Sequence, residues 1–146
     1  YNTRPVPGTS TLRGGAISSS NSMYLGIIDS TDGGTSASLH FANQTNSSRT
    51  APWVGNIYTN TWTHISGTYD GKMARAYING ELKVETPQSG IIDAGTNYLV
   101  GTYAGNPTDG VHNFQGNLSM TRIYNVALSQ EELKRNYNNS KGRFGL

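Results

Sequence analysis

The stretch Asn60-Thr61-Trp62-Thr63-His64-Ile65-Ser66-Gly67-Thr68-Tyr69-Asp70-Gly71, continued by Ala76-Tyr77-Ile78-Asn79-Gly80-Glu81-Leu82, carries most of the architectural information in this chain. From Thr61 to Tyr69 the residues alternate. Trp62, His64, Ser66 and Thr68 fall on one face of an extended strand, and Thr63, Ile65, Gly67 and Tyr69 on the other, so each face holds one large side chain for a core. Trp62 is expected to be a core residue. Asp70-Gly71 and Asn79-Gly80 then punctuate the run, and both dipeptides suit the positive φ values of type I′ hairpin turns. Three antiparallel strands follow as a meander: the Trp62 strand, Ala74 to Ile78, and Leu82 to Val84.

Outward from this meander the chain continues as short apolar stretches between turn-rich ones. Tyr1 to Ser22 is polar, with Pro5, Pro7, Gly14-Gly15 and a serine run, and reads as an extended segment that adds little to a core. Met23 to Ile28 and Ser38 to Ala42 form a plausible hairpin around Asp29 to Gly34. Asn43 to Ala51 is loop-like, and Trp53 to Tyr58 is another short strand. Beyond the meander, Asn97 to Tyr103 supplies a strand, Ala104 to Asn113 a Gly- and Asn-rich loop, and Phe114 to Tyr124 the last long strand. One helix is readable. Ser129-Gln130-Glu131-Glu132 is a capping box, Leu128 and Leu133 are placed as a hydrophobic staple, and Lys134 and Arg135 complement the dipole before Asn138-Asn139 stops the helix. At about ten residues it is marginal alone, so Leu133 and Tyr137 must pack on a sheet.

Composition agrees with this reading. Of 146 residues, 18 are Gly, 16 Thr, 15 Ser and 15 Asn, a mixture poor in helix formers and rich in turn-makers, which argues against a helical bundle. The length suits one domain, burying roughly 70% of its unfolded surface without a staple. Lysine and arginine number 11 against 9 acids and form no basic run, so nucleic acid is not an expected partner. No apolar stretch approaches the ~20 residues that span a bilayer, and no charged-then-apolar leader begins the chain; starting at Tyr1, it is expected to be a processed or excised piece from which any leader is already gone. The absence of cysteine removes thiol catalysis, thiolate-bound zinc and disulfides together.

The Asn60–Gly71 and Ala76–Leu82 runs resemble the laminin-G-like jelly rolls of the concanavalin A-like lectin and glucanase superfamily. So do Phe114-Gln115-Gly116-Asn117-Leu118, Thr121-Arg122-Ile123-Tyr124-Asn125-Val126-Ala127-Leu128-Ser129 and the short helix after them. The resemblance covers about Tyr58 to Tyr137. It implies an all-β fold: a two-sheet antiparallel β-sandwich, or jelly roll, with one short C-terminal helix and loops at its rim. Residues 1–22 would be an extended N-terminal segment and residues 23–146 the laminin-G-like domain. Such domains usually begin with an extra strand or two. Either these are missing here, leaving a sheet edge open to another chain, or Leu12 to Ile17 plays that part. The closing Lys141-Gly142-Arg143-Phe144-Gly145-Leu146 looks like the end of such domains in structural proteins of marine bacteriophages.

Glucanases of this superfamily carry two glutamates flanking an aspartate on one strand face. Here only Glu81 and Glu85 are available, since Glu131 and Glu132 belong to the helix start. They are expected to share a face, but with Lys83 between them, which reads as a solvated hairpin edge. No catalytic residue is expected. His40, His64 and His112 form no metal-spaced cluster, and His64 reads as a hydrogen-bonded sheet residue. No cofactor is required. Related domains often hold calcium at the rim, for which Asp29, Asp32 and Asp109 are the candidate ligands.

Binding of a sugar without catalysis needs an exposed aromatic face with amide or carboxylate partners. Trp53, Tyr58 and Tyr103 lie at or beside loops, and Asn106, Asp109, His112 and Asn113 share the long loop after Tyr103. Asn-x-Ser/Thr triplets begin at Asn43, Asn46, Asn117 and Asn138; they are acceptors for glycosylation in a secreted eukaryotic protein, but they also arise readily by chance in so Asn-, Ser- and Thr-rich a chain. The expectation is a non-enzymatic structural or adhesion module of a virion or extracellular surface. Its partners would be other chains of an assembly and cell-surface glycans. The alternatives are a free-standing lectin or carbohydrate-binding module and, more weakly, a degenerate glucanase.

Overall fold

A computed structural model describes residues 13–20, 22–29, 36–45, 48–50, 53–58, 61–95, 97–104, 108, 113–114 and 116–146. Among them are β1 (Arg13–Ser19), β2 (Met23–Asp29), β3 (Ser36–Thr45), β4 (Ser48–Thr50), β5 (Trp53–Tyr58), β6 (Ile65–Tyr69), β7 (Met73–Ile78), β8 (Glu81–Pro87), β9 (Tyr98–Val100) and α1 (Gln130–Lys141). A 3₁₀ turn, Gly142–Phe144, continues the helix. The strands form two antiparallel sheets. The larger runs β4-β3-β2-β1-β9 with β5 also on β3, and the smaller runs β6-β7-β8.

The sandwich is closed where β3 faces β7. Alternation sets the inner faces. Ile27 and Ile57 of the large sheet meet Ala74 and Ala76 of the small one, ringed by Met23, Leu25, Val54, Ile65, Tyr69, Ile78, Val84 and Phe114. Two alanines at 0% exposure let the layers approach closely at this point, because a larger side chain would hold the sheets apart. The outer face of the small sheet is covered by α1, which buries Leu133, while Tyr77 is buried on β7.

Several elements differ from the sequence reading. The polar segment before Met23 contributes β1, which pairs with β2 from Arg13↔Ile28 to Ser18↔Tyr24 and with β9 through Ile17↔Val100, and it buries Ala16 and Ile17. Its small side chains are what a strand between two neighbours needs, and Ser18 is tied to the chain beyond β9. Ser18 Oγ donates to the Thr102 carbonyl at 2.9 Å and accepts from the Ala104 amide at 2.7 Å. The stretch read as loop-like after Ala42 instead carries the end of β3 and all of β4, paired from Asn43↔Thr50 to Thr45↔Ser48. Thr45 is 2% exposed, and its hydroxyl donates to the Ser89 carbonyl and accepts from the Gln88 side-chain Nε2.

The two hairpin dipeptides part company. Asn79 (φ 54°) and Gly80 (φ 76°) both occupy the left-handed region, as a type I′ turn requires. At Asp70-Gly71 only Gly71 does so (φ 91°), because the Asp70 carboxylate accepts from the Lys72 and Met73 amides and organises a longer turn. The expected last strand from Phe114 to Tyr124 is not among the described strands; a single bridge, Thr102↔Asn113, lies just before it. The helix passes Asn138-Asn139 without stopping. Its capping box has both bonds: the Ser129 amide donates to Glu132 Oε2 at 2.8 Å, and the Glu132 amide donates to Ser129 Oγ at 3.3 Å.

Candidate functional site

Away from the β3–β7 contact the two sheets part into a cleft of about 840 Å³. Ile17, Leu25 and Ile57 line it from the large sheet, Ile65 and Tyr69 from the small one, and residues 117–128 run along it.

One end of the cleft is aromatic. The Trp62 ring lies 4.9 Å from Phe144, tilted by 41°, and His64 lies 6.1 Å from Tyr137. Lys141 Nζ stands 5.6 Å from the centroid of Tyr137. Asn136 on the same helix donates from its amide to the Tyr124 hydroxyl at 3.4 Å. Trp62 is 40% exposed, which corrects its expected place in the core. The ladder of β6 begins at Ile65, so Trp62 precedes the strand and meets the C-terminal turn outside the sandwich.

Electrostatically this end carries two cations and one neutral ring. Burial, and then the Arg122 charge, push His64 below the ordinary imidazole value, so it is neutral at pH 7. Its amide donates to Asn79 Oδ1 at 3.0 Å, its carbonyl accepts from the Asn79 amide at 2.8 Å, and its Nδ1 lies 3.4 Å from Ser66 Oγ. His64 is therefore a half-buried residue that ties β6 to the tip of the β7–β8 hairpin.

The residues singled out for ligand binding do not meet here. Tyr103 is half-buried with its ring edge-on to Tyr24 at 5.5 Å, covering the outer face of the large sheet. Trp53 and Tyr58 begin and end β5. Asn106, Asp109 and His112 lie outside the described residues. Of the calcium candidates, Asp29 ends β2, while Asp32 and Asp109 lie outside the described residues. Among the described residues no three His, Asp or Glu side chains come together as metal ligands.

The two strand glutamates are also repositioned. Val84 pairs with Ala76 and Leu82 with Tyr77, so Lys83 is an extra residue in β8. Glu81 stands opposite Ile78 and Glu85 opposite Arg75, which puts the two carboxylates on opposite faces, not on one. Each is ion-paired: Glu81 with Lys83 at 3.0 Å and Glu85 with Arg75 at 3.1 Å. Arg75 also holds Asp70 at 2.6 Å, and this bond, with the Met73 and Lys72 amides, lowers the Asp70 pKa to about 2. Two carboxyl groups facing apart cannot flank one glycosidic bond.

Sequence reasoning missed the aromatic end because its parts come from three separate elements: the lead-in to β6, α1, and the turn after it. The available signal was Phe144, an aromatic residue between two glycines just past the expected helix end. Among the described residues no helix is long and apolar enough to cross a membrane.

Comparison with known proteins finds no match among curated sequences. Among solved structures, an S-layer domain-containing protein from Clostridium thermocellum aligns with 94% of this chain and 70% of its own, at 20% identity and a TM-score of 0.45. The profile of a laminin-G family, described as the Concanavalin A-like lectin/glucanases superfamily, matches residues 2–134. With that match covering most of its length, and with two antiparallel sheets packed face to face, the chain belongs to the concanavalin A-like lectin/glucanase superfamily.

Proposed function

We propose that this domain is a non-enzymatic structural and adhesion module of an extracellular or virion surface, assembling with other chains through the open edge of its large sheet. The observation that carries this reading is β9. It pairs with β1 and, among the described residues, ends the sheet, with Tyr98 50% and Val100 56% exposed. An edge with free amides and carbonyls beside apolar side chains is a template for another strand. The resemblance of Lys141 to Leu146 to the ends of bacteriophage structural domains supports the virion setting, and the opposed faces of Glu81 and Glu85 support a role without hydrolysis. Sedimentation velocity tests the reading. Self-association at micromolar concentration is expected for the native chain and is expected to be lost in Val100→Lys, whereas a stable native monomer would count against assembly through this edge.

A second reading is favoured by Trp62. An exposed indole braced by Phe144, with the Asn136 amide, Arg122 and Lys141 around the same cleft, is a platform for a sugar ring. Glycan-array binding abolished by Trp62→Ala, and retained in Trp53→Ala and Tyr103→Ala, would establish this platform over the rim aromatics.

A further inference from the structure

Of the 15 asparagines, only Asn79 is followed by glycine. In that pairing the side-chain amide is most open to attack by the next backbone nitrogen, because Gly80 has no Cβ to shield it. In the folded chain both partners of this reaction are held. The Asn79 amide donates to the His64 carbonyl at 2.8 Å, and Asn79 Oδ1 accepts from the His64 amide at 3.0 Å, so the carboxamide is tethered to the lead-in of β6. Gly80 is buried, and it lies so close to α1 that a Cβ there would stand 2.7 Å from Lys134 Cα and 3.2 Å from Lys134 N. To reach the Gly80 nitrogen the carboxamide must leave His64, and the five-membered ring it forms needs room that Lys134 occupies.

We propose that Asn79 is a site of spontaneous deamidation, gated by undocking of α1 from the tip of the β7–β8 hairpin. With the tip open, the Gly80 nitrogen attacks Asn79 Cγ. An N–Cγ bond forms, the Cγ–Nδ2 bond breaks, and the proton from the Gly80 nitrogen leaves with the side-chain amide as ammonia. Water then opens the imide at either carbonyl, giving an aspartate or an isoaspartyl link. The two products diverge in this fold. Aspartate keeps an oxygen for the His64 amide, and Lys134, already close enough to lower the pKa of Glu81, offsets its charge. The isoaspartyl link inserts a methylene into the main chain of a turn set by φ values of 54° and 76° and pressed against Lys134, so α1 does not reseat on it. The modification is a one-way release of the layer that covers the small sheet, and it rests on neither the β9 edge nor the Trp62 platform.

Peptide mapping by mass spectrometry on the full chain, incubated at neutral pH, tests this. Asn79 is expected to convert at least about tenfold more slowly in the native chain than in urea, because local opening limits the reaction. Ser129→Ala removes half of the helix cap and leaves the sequence around Asn79 untouched, so it is expected to raise the native rate about fivefold without changing the rate in urea. Equal rates in the native and unfolded chains would overturn the gate, as would an unchanged native rate in Ser129→Ala. No conversion in urea would overturn the site itself. A second measurement does not depend on that variant: the aspartyl and isoaspartyl fractions of the aged native chain are separated and their hydrogen exchange compared. Loss of protection over α1 in the isoaspartyl fraction alone is expected, and protection that does not differ between the two would refute the release.

Discussion

The β7–β8 hairpin with its helix and the Asn117–Val126 run lie on the same small sheet, yet they are held in opposite ways. In the hairpin the inner face is covered by the large sheet, the outer face is covered by α1, the turn has the φ values its residues favour, and the outward charges are paired. The run borders one cleft, its apolar side chains are half open to water, and among the described residues the neighbouring edge of β6 pairs with no second strand. Alternating apolar residues give a segment the capacity to be a strand. What makes it one is a partner on its edge and a layer on its face.

That contrast can be broken most directly at Leu133, which is 5% exposed where α1 meets the sheet. Leu133→Ala should cost about 3 kcal/mol in urea denaturation, as expected for truncating a buried leucine, and an effect under 1 kcal/mol would mean that the helix is not a covering layer. Next is Gly80. A Cβ there would lie 2.7 Å from Lys134 Cα, on a backbone with φ 76°, so Gly80→Ala should cost about 2 kcal/mol. Gly71 has φ 91° but open space around it, so Gly71→Ala should cost about 1 kcal/mol, and equal losses at the two sites would remove the helix contact from the account. Ser129→Ala deletes one half of the capping box and should cost about 1 kcal/mol, measurable as a lower melting temperature.

The smallest expected effect is a pH dependence. Because the folded state lowers the pKa of His64, the unfolded chain binds its proton first as pH falls. The contribution is therefore complete above the unfolded value of 6.5 and is lost progressively below it, down to the folded value. Melting temperature should decline between pH 7 and 5, and His64→Gln should flatten that decline. Arg122→Gln should reduce it by a smaller amount, since burial is the larger cause. Asp70 acts lower on the scale, its stabilisation disappearing only as pH falls from the ordinary carboxylate range through about 2, and solvent screening at its exposed position keeps the effect small.

Much of the sandwich was legible because its signals are local. Trp53 to Tyr58 is β5 as read, Asn79-Gly80 is the turn that such a pair favours, and the Ser129 capping box has both of its bonds. What was illegible depends on distant partners. The strand at Arg13 to Ser19 was open to reading only as the alternative over Leu12 to Ile17 that the resemblance suggests, because its identity comes from lying between β2 and β9 and not from its own polar composition. The bulge at Lys83 leaves no mark in composition, yet it turns Glu81 away from Glu85. Trp62 looked like core because alternation cannot tell where a ladder starts, and its braced ring depends on Phe144 from the far end of the chain.

The position of β1 also bears on synthesis at the ribosome. Ser18 bonds to the carbonyl of Thr102, a separation of 84 residues, so the first strand emerges well before its second neighbour exists. At 5–20 residues per second that interval is on the order of ten seconds. Throughout it, a nascent chain carries β1 with one flank unmatched, so this side of the large sheet is expected to close only once Tyr98 to Val100 has left the exit tunnel.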